Sequence, residues 1–335
     1  MKILLSFVTI AIFVAFTGCR QDPNSTNSSM PMKTSGSSTP ANPAVTYRGT
    51  VTTGSGHSSA TYQTIAVMDT DGTHQTNIWT ASSTTDQDSY PYWSPTGGSI
   101  VWSNHTNSVA APSGSILAID VSVNSGGIAV GSNLRSIYSW QSSDSVEVTP
   151  AVWCQQSATG KIAFMRDHQN VGNYVNDLCI INQDGSGITT LASRNVGTTD
   201  NMSKPTWSPD DSKIAVSRST SGGHYSILIF NASSGALLDS IALTTSPNTI
   251  RWSHTGENKL LITGASGYLS YLTPSSGSTP TTYSVATSGY YCWSPNNSGI
   301  LYTNSGALKK NTSFTSSIST IQSSFSGNGL DWRVQ

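Results

Sequence analysis

Six tryptophans, Trp93, Trp153, Trp207, Trp252, Trp293 and Trp332, recur along this chain at intervals of 60, 54, 45, 41 and 39 residues. Four of them open a shared phrase: Trp93-Ser94-Pro95-Thr96-Gly97, Trp207-Ser208-Pro209-Asp210-Asp211, Trp252-Ser253-His254-Thr255-Gly256 and Trp293-Ser294-Pro295-Asn296-Asn297. Each phrase precedes a short apolar run, at 100–103, 213–217, 259–263 and 300–303. A divergent copy reads Trp153-Cys154-Gln155 and is followed by 161–165, and a truncated one closes the chain at Asp331-Trp332-Arg333. A unit of this length cannot bury its apolar faces alone, so neighbouring units must stack on it.

The spacing has a mechanical reading. A strand ends in Trp, a turn rich in Pro, Asp, Asn and Gly follows, and a second strand runs back. Third strands are expected at 115–120, 177–182, 225–231 and 267–272. After turns such as Gln183-Asp184-Gly185-Ser186 come weaker fourth strands such as 188–192. Four antiparallel strands make one blade, and an indole can fill each wedge between blades. The last repeat stops after its first strand, and 45–53, 63–69 and 76–80 supply the three strands it lacks. Pairing the chain's two ends hides the edges of the seam. The expected fold is all-β, a six-bladed β-propeller closed by pairing of N-terminal strands with the C-terminal strand.

Two stretches carry a family resemblance. One is Ile65-Ala66-Val67-Met68-Asp69-Thr70-Asp71-Gly72 with Pro91-Tyr92-Trp93-Ser94-Pro95 and Ile100-Val101-Trp102. The other is Leu178-Cys179-Ile180-Ile181-Asn182-Gln183-Asp184-Gly185 with Lys204-Pro205-Thr206-Trp207-Ser208-Pro209-Asp210 and Ile214-Ala215-Val216. They resemble the TolB-type β-propeller repeat, over roughly residues 45–335. The resemblance implies a bacterial envelope protein. TolB itself would bring an α/β domain and a peptidoglycan-associated lipoprotein partner, and this chain has no room for that domain.

The N-terminus reads as an address. Lys2 precedes an apolar run over 3–16, too short to span a bilayer comfortably and suited to a signal-peptide core. Phe16-Thr17-Gly18-Cys19 resembles a lipobox, which makes Cys19 the lipidated residue and 1–18 the signal peptide. Several acyl chains on Cys19 would anchor the protein stably to a membrane. Arg20 follows, which by resemblance to enterobacterial sorting favours the outer membrane, facing the periplasm or the cell surface. Residues 19–44 are rich in Pro, Ser, Thr and Asn and read as a tether; 45–335 form the propeller.

Charge narrows the partner. Sixteen Lys+Arg against 17 Asp+Glu give a net charge of −1, without the cationic footprint of a nucleic-acid binder. No Gly-x-Ser-x-Gly elbow occurs, so a propeller-gated peptidase would need its catalytic half on another chain. No true copy of the sialidase-type Ser-x-Asp-x-Gly-x-Thr-Trp turn is found. With Cys19 lipidated, Cys154, Cys179 and Cys292 remain, an odd number with no C-x-x-C pair, and they read as buried thiols. Asp69-Thr70-Asp71-Gly72 reads as a hairpin turn, with a calcium loop as the alternative.

One constellation stands out. His57, His105, His168 and His224 are expected in connections between second and third strands, on one face of the disc in four successive blades; His74 and His254 fall on the opposite face. Converging imidazoles suit a transition metal or a pH switch, and the sequence leaves metal binding open. The same face receives the connections entering each first strand, with Asp86, Asp88, Asp144, Glu147 and Asp200. Together with Arg166, Asp167 and Tyr174 they are expected to rim the mouth of the central channel, where ligands of propellers gather. The reading is a non-catalytic envelope lipoprotein without a cofactor, binding a protein or envelope-glycan partner at that mouth. The alternative is a carbohydrate-active lyase or hydrolase sited there.

Overall fold

The computed structural model describes residues 41–333 apart from 89, 107–112, 141–149, 157, 171–172, 196–199, 248, 255, 264–266, 288 and 315–316. The signal peptide, Cys19, and the expected site residues Asp144 and Glu147 therefore lie outside the described residues, as do the side chains of His57, Asp88 and Tyr174.

The described strands form six sheets. Blade 1 joins the two chain ends: β25 (Asn328–Trp332) pairs with β1 (Val45–Thr53), then come β2 (Ala60–Met68) and β3 (Thr76–Thr80). Blade 2 begins with a broken strand, β4 (Asp86–Asp88) and β5 (Tyr92–Trp93), both paired to β6 (Ser99–Thr106), and continues with β7 (Ser113–Val123) and β8 (Ala129–Trp140). Blade 3 holds β9 (Val152–Trp153), β10 (Lys161–Asn170), β11 (Asn173–Asn182) and β12 (Thr189–Asn195). Blade 4 holds β13 (Asp200–Trp207), β14 (Lys213–Thr220), β15 (Tyr225–Asn231) and β16 (Leu237–Leu243). Blade 5 is β17 (Ile250–Trp252), β18 (Leu260–Thr263), β19 (Tyr268–Leu272) and β20 (Thr281–Ala286). Blade 6 is β21 (Tyr291–Trp293), β22 (Ile300–Asn304), β23 (Ala307–Asn311) and β24 (Ile318–Gln322). Every pairing is antiparallel, and Val45 stands opposite Trp332 where the ring closes. The fold is a six-bladed β-propeller.

Both faces of each blade are covered, which explains why the inner strands read as unbroken apolar runs. Alternation then divides each run between two neighbours. On β14, Ala215 packs towards Ile250 and Trp252 of blade 5, while Ile214 and Val216 join the cluster with Trp153 and Phe164 of blade 3. On β22, Ile300 and Tyr302 face blade 5 and Leu301 faces blade 1.

The shared phrase is a folding device. In four repeats the serine after Trp accepts the backbone N–H of the residue that opens or directly precedes the next strand: Ser94 from Ser99, Ser208 from Lys213, Ser253 from Lys259 and Ser294 from Gly299, at 2.9–3.1 Å. Cys154 fills this position in blade 3, its sulfur 3.3 Å from Lys161 N. The turns between third and fourth strands use glycine for close approach. A Cβ on Gly185 would stand 2.6 Å from Ile137 O of blade 2, and one on Gly235 would stand 2.2 Å from Leu191 O of blade 3.

Two expectations shift. The second strands of blades 2 to 4 and the third strands of blades 2 and 3 run further towards the mouth face than the apolar runs indicate, because their polar ends keep pairing, for example His168 with Val175 on β10 and β11. Packing also begins at Ala41, inside the stretch read as tether: Ala41 N donates to Gly127 O, and Ala44, 1 % exposed, donates to Met68 O.

Candidate functional site

The residue before each tryptophan points into the central channel. On blades 1 to 6 these are Asp331, Tyr92, Val152, Thr206, Arg251 and Cys292, and all six line one cavity of about 60 Å3, beside the six indoles. The ring stitches its own neighbours together. Asp331 Oδ2 accepts Trp93 N at 2.8 Å, and Thr206 Oγ1 accepts Trp252 N at 3.0 Å, each from the following blade.

Arg251 dominates this layer. It is 6 % exposed, and its guanidinium sits 4.1 Å from the ring centre of Tyr92 on the opposite blade. Nη2 donates to Leu330 O at 2.9 Å and Nη1 stands 3.9 Å from Asp331 Oδ1, while Nε is buried without a partner. A cation held over an aromatic face thus spans the axis between opposite blades. Burial pushes the Asp331 carboxyl up to about 6, against the pull of Arg251.

The floor is a polar clasp. Asp211 accepts Gln155 N and Gln156 N at 2.6 and 2.8 Å, and Asn297 accepts His254 N at 2.7 Å. His254 Nδ1 lies 2.9 Å from Gln155 Oε1, and burial together with Arg251 pushes this imidazole down to about 4, so it is neutral at pH 7.

On the mouth face most of the expected residues lie on strands rather than in connections. His57 sits in the 3-10 turn Gly56–Ser58 and His224 in an exposed turn after β14, as the spacing indicates. His105 and His168, expected in connections, instead lie on β6 and β10, because these strands stay paired to their ends. Among the described residues no three His, Cys, Asp or Glu side chains come together as a metal site. Arg166, Asp167 and Tyr174 are likewise on strands, and the acids are on strands rather than in loops: Asp86 and Asp88 on β4, and Asp200 on β13.

Four acids of this face, Asp86, Asp167, Asp177 and Asp200, hold neighbours. Asp177, 2 % exposed, accepts Arg166 Nη2 and Ser193 Oγ, both at 2.6 Å, and His168 Nδ1 stands 3.5 Å away. Asp167 accepts the amide of Asn176, whose own oxygen takes Met202 N of blade 4 at 3.0 Å. Arg218 grips Asp200 through two bonds of 2.7 and 2.9 Å and holds its carboxyl below the usual range. Asp86 caps its own loop, accepting Ser83 N at 3.2 Å. On the other face, Asp71 accepts Thr73 N at 2.9 Å and His74 Nδ1 lies 2.9 Å from Asp69, so Asp69-Thr70-Asp71-Gly72 is a self-bonded hairpin turn.

Sequence reading missed Arg251, Asp331 and Tyr92, although aligning the repeats on their tryptophans puts all three in one column. The thiols of Cys154, Cys179 and Cys292 are buried and unpaired, and burial pushes Cys154 and Cys179 up to about 11.

No family model and no curated protein matches the chain. Among solved structures it is similar to an oligogalacturonate lyase from Vibrio parahaemolyticus, at 12 % identity and TM-score 0.49 over 72 % of this chain and 70 % of that one. It is also similar to the Dos1 propeller, at 10 % identity and TM-score 0.45 over 80 % and 68 %. A third is Sqt1 from Chaetomium thermophilum bound to the N-terminus of ribosomal protein L10, at 12 % and 0.44 over 81 % and 72 %. Likenesses this distant carry no argument about function; the fold rests on the strand pairing above.

Proposed function

We propose that the chain is a non-catalytic envelope lipoprotein of TolB type, anchored by lipid at Cys19, whose propeller serves as an interaction or scaffolding module through its channel-mouth face. The observation that carries this reading is the position of Arg251. Its guanidinium lies over Tyr92 across the axis between opposite blades, which supports a mouth that meets a partner as a surface. The engagement of Asp86, Asp167, Asp177 and Asp200 in bonds to their own neighbours is a second support. Glycoside cleavage asks for a pair of carboxylates poised across an open site. The repeat wording supports the TolB-type affiliation, and Phe16-Thr17-Gly18-Cys19 supports an envelope address, at the outer membrane, facing the periplasm or the cell surface.

The lyase or hydrolase alternative draws on His168 beside Asp177 and expects turnover of a glycan that is lost in H168A or D167N. The deciding experiment is a pull-down from detergent-solubilised envelopes with the tethered wild type and with a variant whose mouth loops are replaced. A specific protein recovered by the first and lost by the second supports the module; its absence, with glycan turnover by the purified chain, overturns it.

A further inference from the structure

The chain joins its propeller on the face opposite the mouth, the face that carries the tryptophan phrases. Ala41 N donates to Gly127 O at 2.9 Å, in the turn between β7 and β8, and Asn42 N donates to Asp69 Oδ1 at 2.8 Å, in the turn between β2 and β3. Ala44 N then reaches Met68 O at 3.0 Å, and β1 runs from there towards the mouth. The other end of the chain closes over this point: Arg333 N donates to Ala44 O at 2.7 Å and its Nη2 to Asn42 Oδ1 at 3.0 Å. Residues 41–44 are thus fixed to turns of blades 1 and 2 on the tryptophan face.

The exposed apolar side chains gather on the same face. Eight large hydrophobic residues of the described chain are 39–54 % exposed. Six of them stand at the tryptophan-face ends of third and fourth strands: Val123 closes β7, Ile128 directly precedes β8, Ile188 directly precedes β12, Leu237 and Leu238 open β16, and Ile318 opens β24. Leu134 lies within β8, and Tyr268 stands at the mouth end of β19. A single exposed aliphatic side chain says little; a one-sided distribution marks a contact surface. Five of the six fall on blades 2 to 4. There each turn between third and fourth strands leans on the outer strand of the previous blade, Gly185 on Ile137 and Gly235 on Leu191, so these residues follow one another round the rim. Ile128 adjoins Gly127, the residue that holds Ala41.

Residues 20–40, read from their composition as a tether, join this point to Cys19. A relaxed coil of that length spans roughly 25 Å. β10 and β11, of 10 residues each, cross between the faces and set them about 30 Å apart. With the tryptophan face towards a bilayer, the link stays relaxed and the aliphatic rim meets lipid. With the mouth towards it, the link must stretch past its relaxed span and the rim stays in water. We propose that the outer rim of blades 2 to 4 on the tryptophan face rests in the headgroup layer of the bilayer that holds the Cys19 lipid, presenting the mouth to the aqueous side. This rests on the lipid-anchored module reading and says from which side a partner meets it. Apolar area and the anchor supply the contact rather than charge, because Asp71, Asp184 and Asp210 are exposed on the same face.

The test uses the full lipidated chain in phosphatidylcholine vesicles that contain a lipid spin-labelled at the headgroup. Fluorophores sit on single added cysteines, the native thiols of Cys154, Cys179 and Cys292 being buried. Fluorescence should be quenched about twofold or more at I128C and L238C, at the headgroup depth that interfacial side chains reach. It should hardly change at S55C and S221C, in exposed mouth turns about 30 Å away. Equal quenching on both faces, or stronger quenching at the mouth, overturns the proposal. A triple variant, I188S with L237S and L238S, separates the rim from the tether, and its side chains are already exposed, so its thermal melt should match the wild type. With the label at I128C, quenching in this variant should fall by about half or more; unchanged quenching overturns the apolar contact. Flotation with the vesicles reads the anchor separately. Wild type that stays behind, as C19S should, overturns the lipoprotein reading and the rim contact with it. Wild type that floats without rim quenching leaves the anchor standing and overturns the rim contact alone.

Discussion

Arg251 on β17 and Tyr92 on β5 stand on opposite sides of the ring, and the guanidinium of one lies 4.1 Å from the ring centre of the other. The contact bolts blade 5 to blade 2 through the axis, and Asp331 on the closing strand completes the layer 3.9 Å away. The centre of the molecule is therefore a buried electrostatic unit joined to the seam, and its titration should register in stability.

Two groups there titrate in opposite senses. The Asp331 carboxyl sits at about 6 in the folded chain against 3.8 unfolded. The folded state then binds its proton more tightly, and stability falls as pH rises from about 4 to 6. His254 sits at about 4 against 6.5 unfolded, so its contribution is present above 6.5 and lost as pH falls towards 4. Each shift corresponds to roughly 3 kcal/mol at most, and in the wild type the two slopes largely cancel. In urea titrations between pH 4 and 7, D331N should show stability rising with pH and H254Q should show it falling. Parallel profiles for both variants would contradict these assignments.

Asp211 is the clasp between blades 3 and 4. It accepts two backbone N–H groups, from Gln155 and Gln156, and holds φ of 57°, a conformation that Asn tolerates and Ala does not. D211A should cost about 2–4 kcal/mol, from two stranded donors plus backbone strain. D211N keeps one acceptor and the conformation, and should lose less than half as much. Chemical denaturation of both variants at pH 7 measures the difference; equal losses would deny the backbone bonds their role.

How much of this was legible follows from what each residue is needed for. A bulky indole is required at the end of every inner strand, so the tryptophan spacing gave the blade count and the strand-swapped closure, and β1 and β3 fall where the apolar patterning puts them. The ends of β6 and β10 read as loops because pairing there is carried by Asn104 and His105 on β6 and by Arg166, Asp167 and His168 on β10, residues with no apolar signal. Arg251 and Asp331 were hidden for another reason. An inner-strand position normally carries a neutral residue, as Val152 and Thr206 do, and only a three-dimensional ring makes one cation and one acid partners from residues 80 apart in sequence.

Cys154 offers the sharpest separation among the thiols. It occupies the serine position of the repeat, donating to Gln156 O and accepting Lys161 N, both at 3.3 Å. C154S keeps both bonds at nearly the same size and should change stability by less than about 1 kcal/mol. Cys292 packs in the apolar cluster with Leu301, Leu308 and Trp332, and there C292S puts a more strongly hydrated hydroxyl in place of a buried thiol, at a cost of about 1–3 kcal/mol. Thermal melts of the two serine variants test the distinction. A native chain should also leave all three described thiols unreactive towards a neutral disulfide reagent, since each is buried and Cys154 and Cys179 hold pKa values near 11.

The closing strand decides whether the propeller is one cooperative body. β25 gives blade 1 its inner strand, sets Trp332 and Leu330 into the cluster with Ala66 and Leu301, and carries Asp331 to Trp93 and Arg251. Removing residues 328–335 would expose the inner edge of β1, unseat the axial layer and strip two large apolar side chains from the seam. Each buried Trp or Leu is worth about 2–5 kcal/mol, so their combined loss rivals the whole stability of an ordinary domain, about 5–15 kcal/mol. The truncated chain should be recovered as aggregate, or should melt well below the full chain. Adding a synthetic peptide of residues 326–335 should restore part of the melting temperature by rebuilding the β25–β1 pairing. A truncated chain that melts with the full-length midpoint would mean that the ring does not depend on its seam.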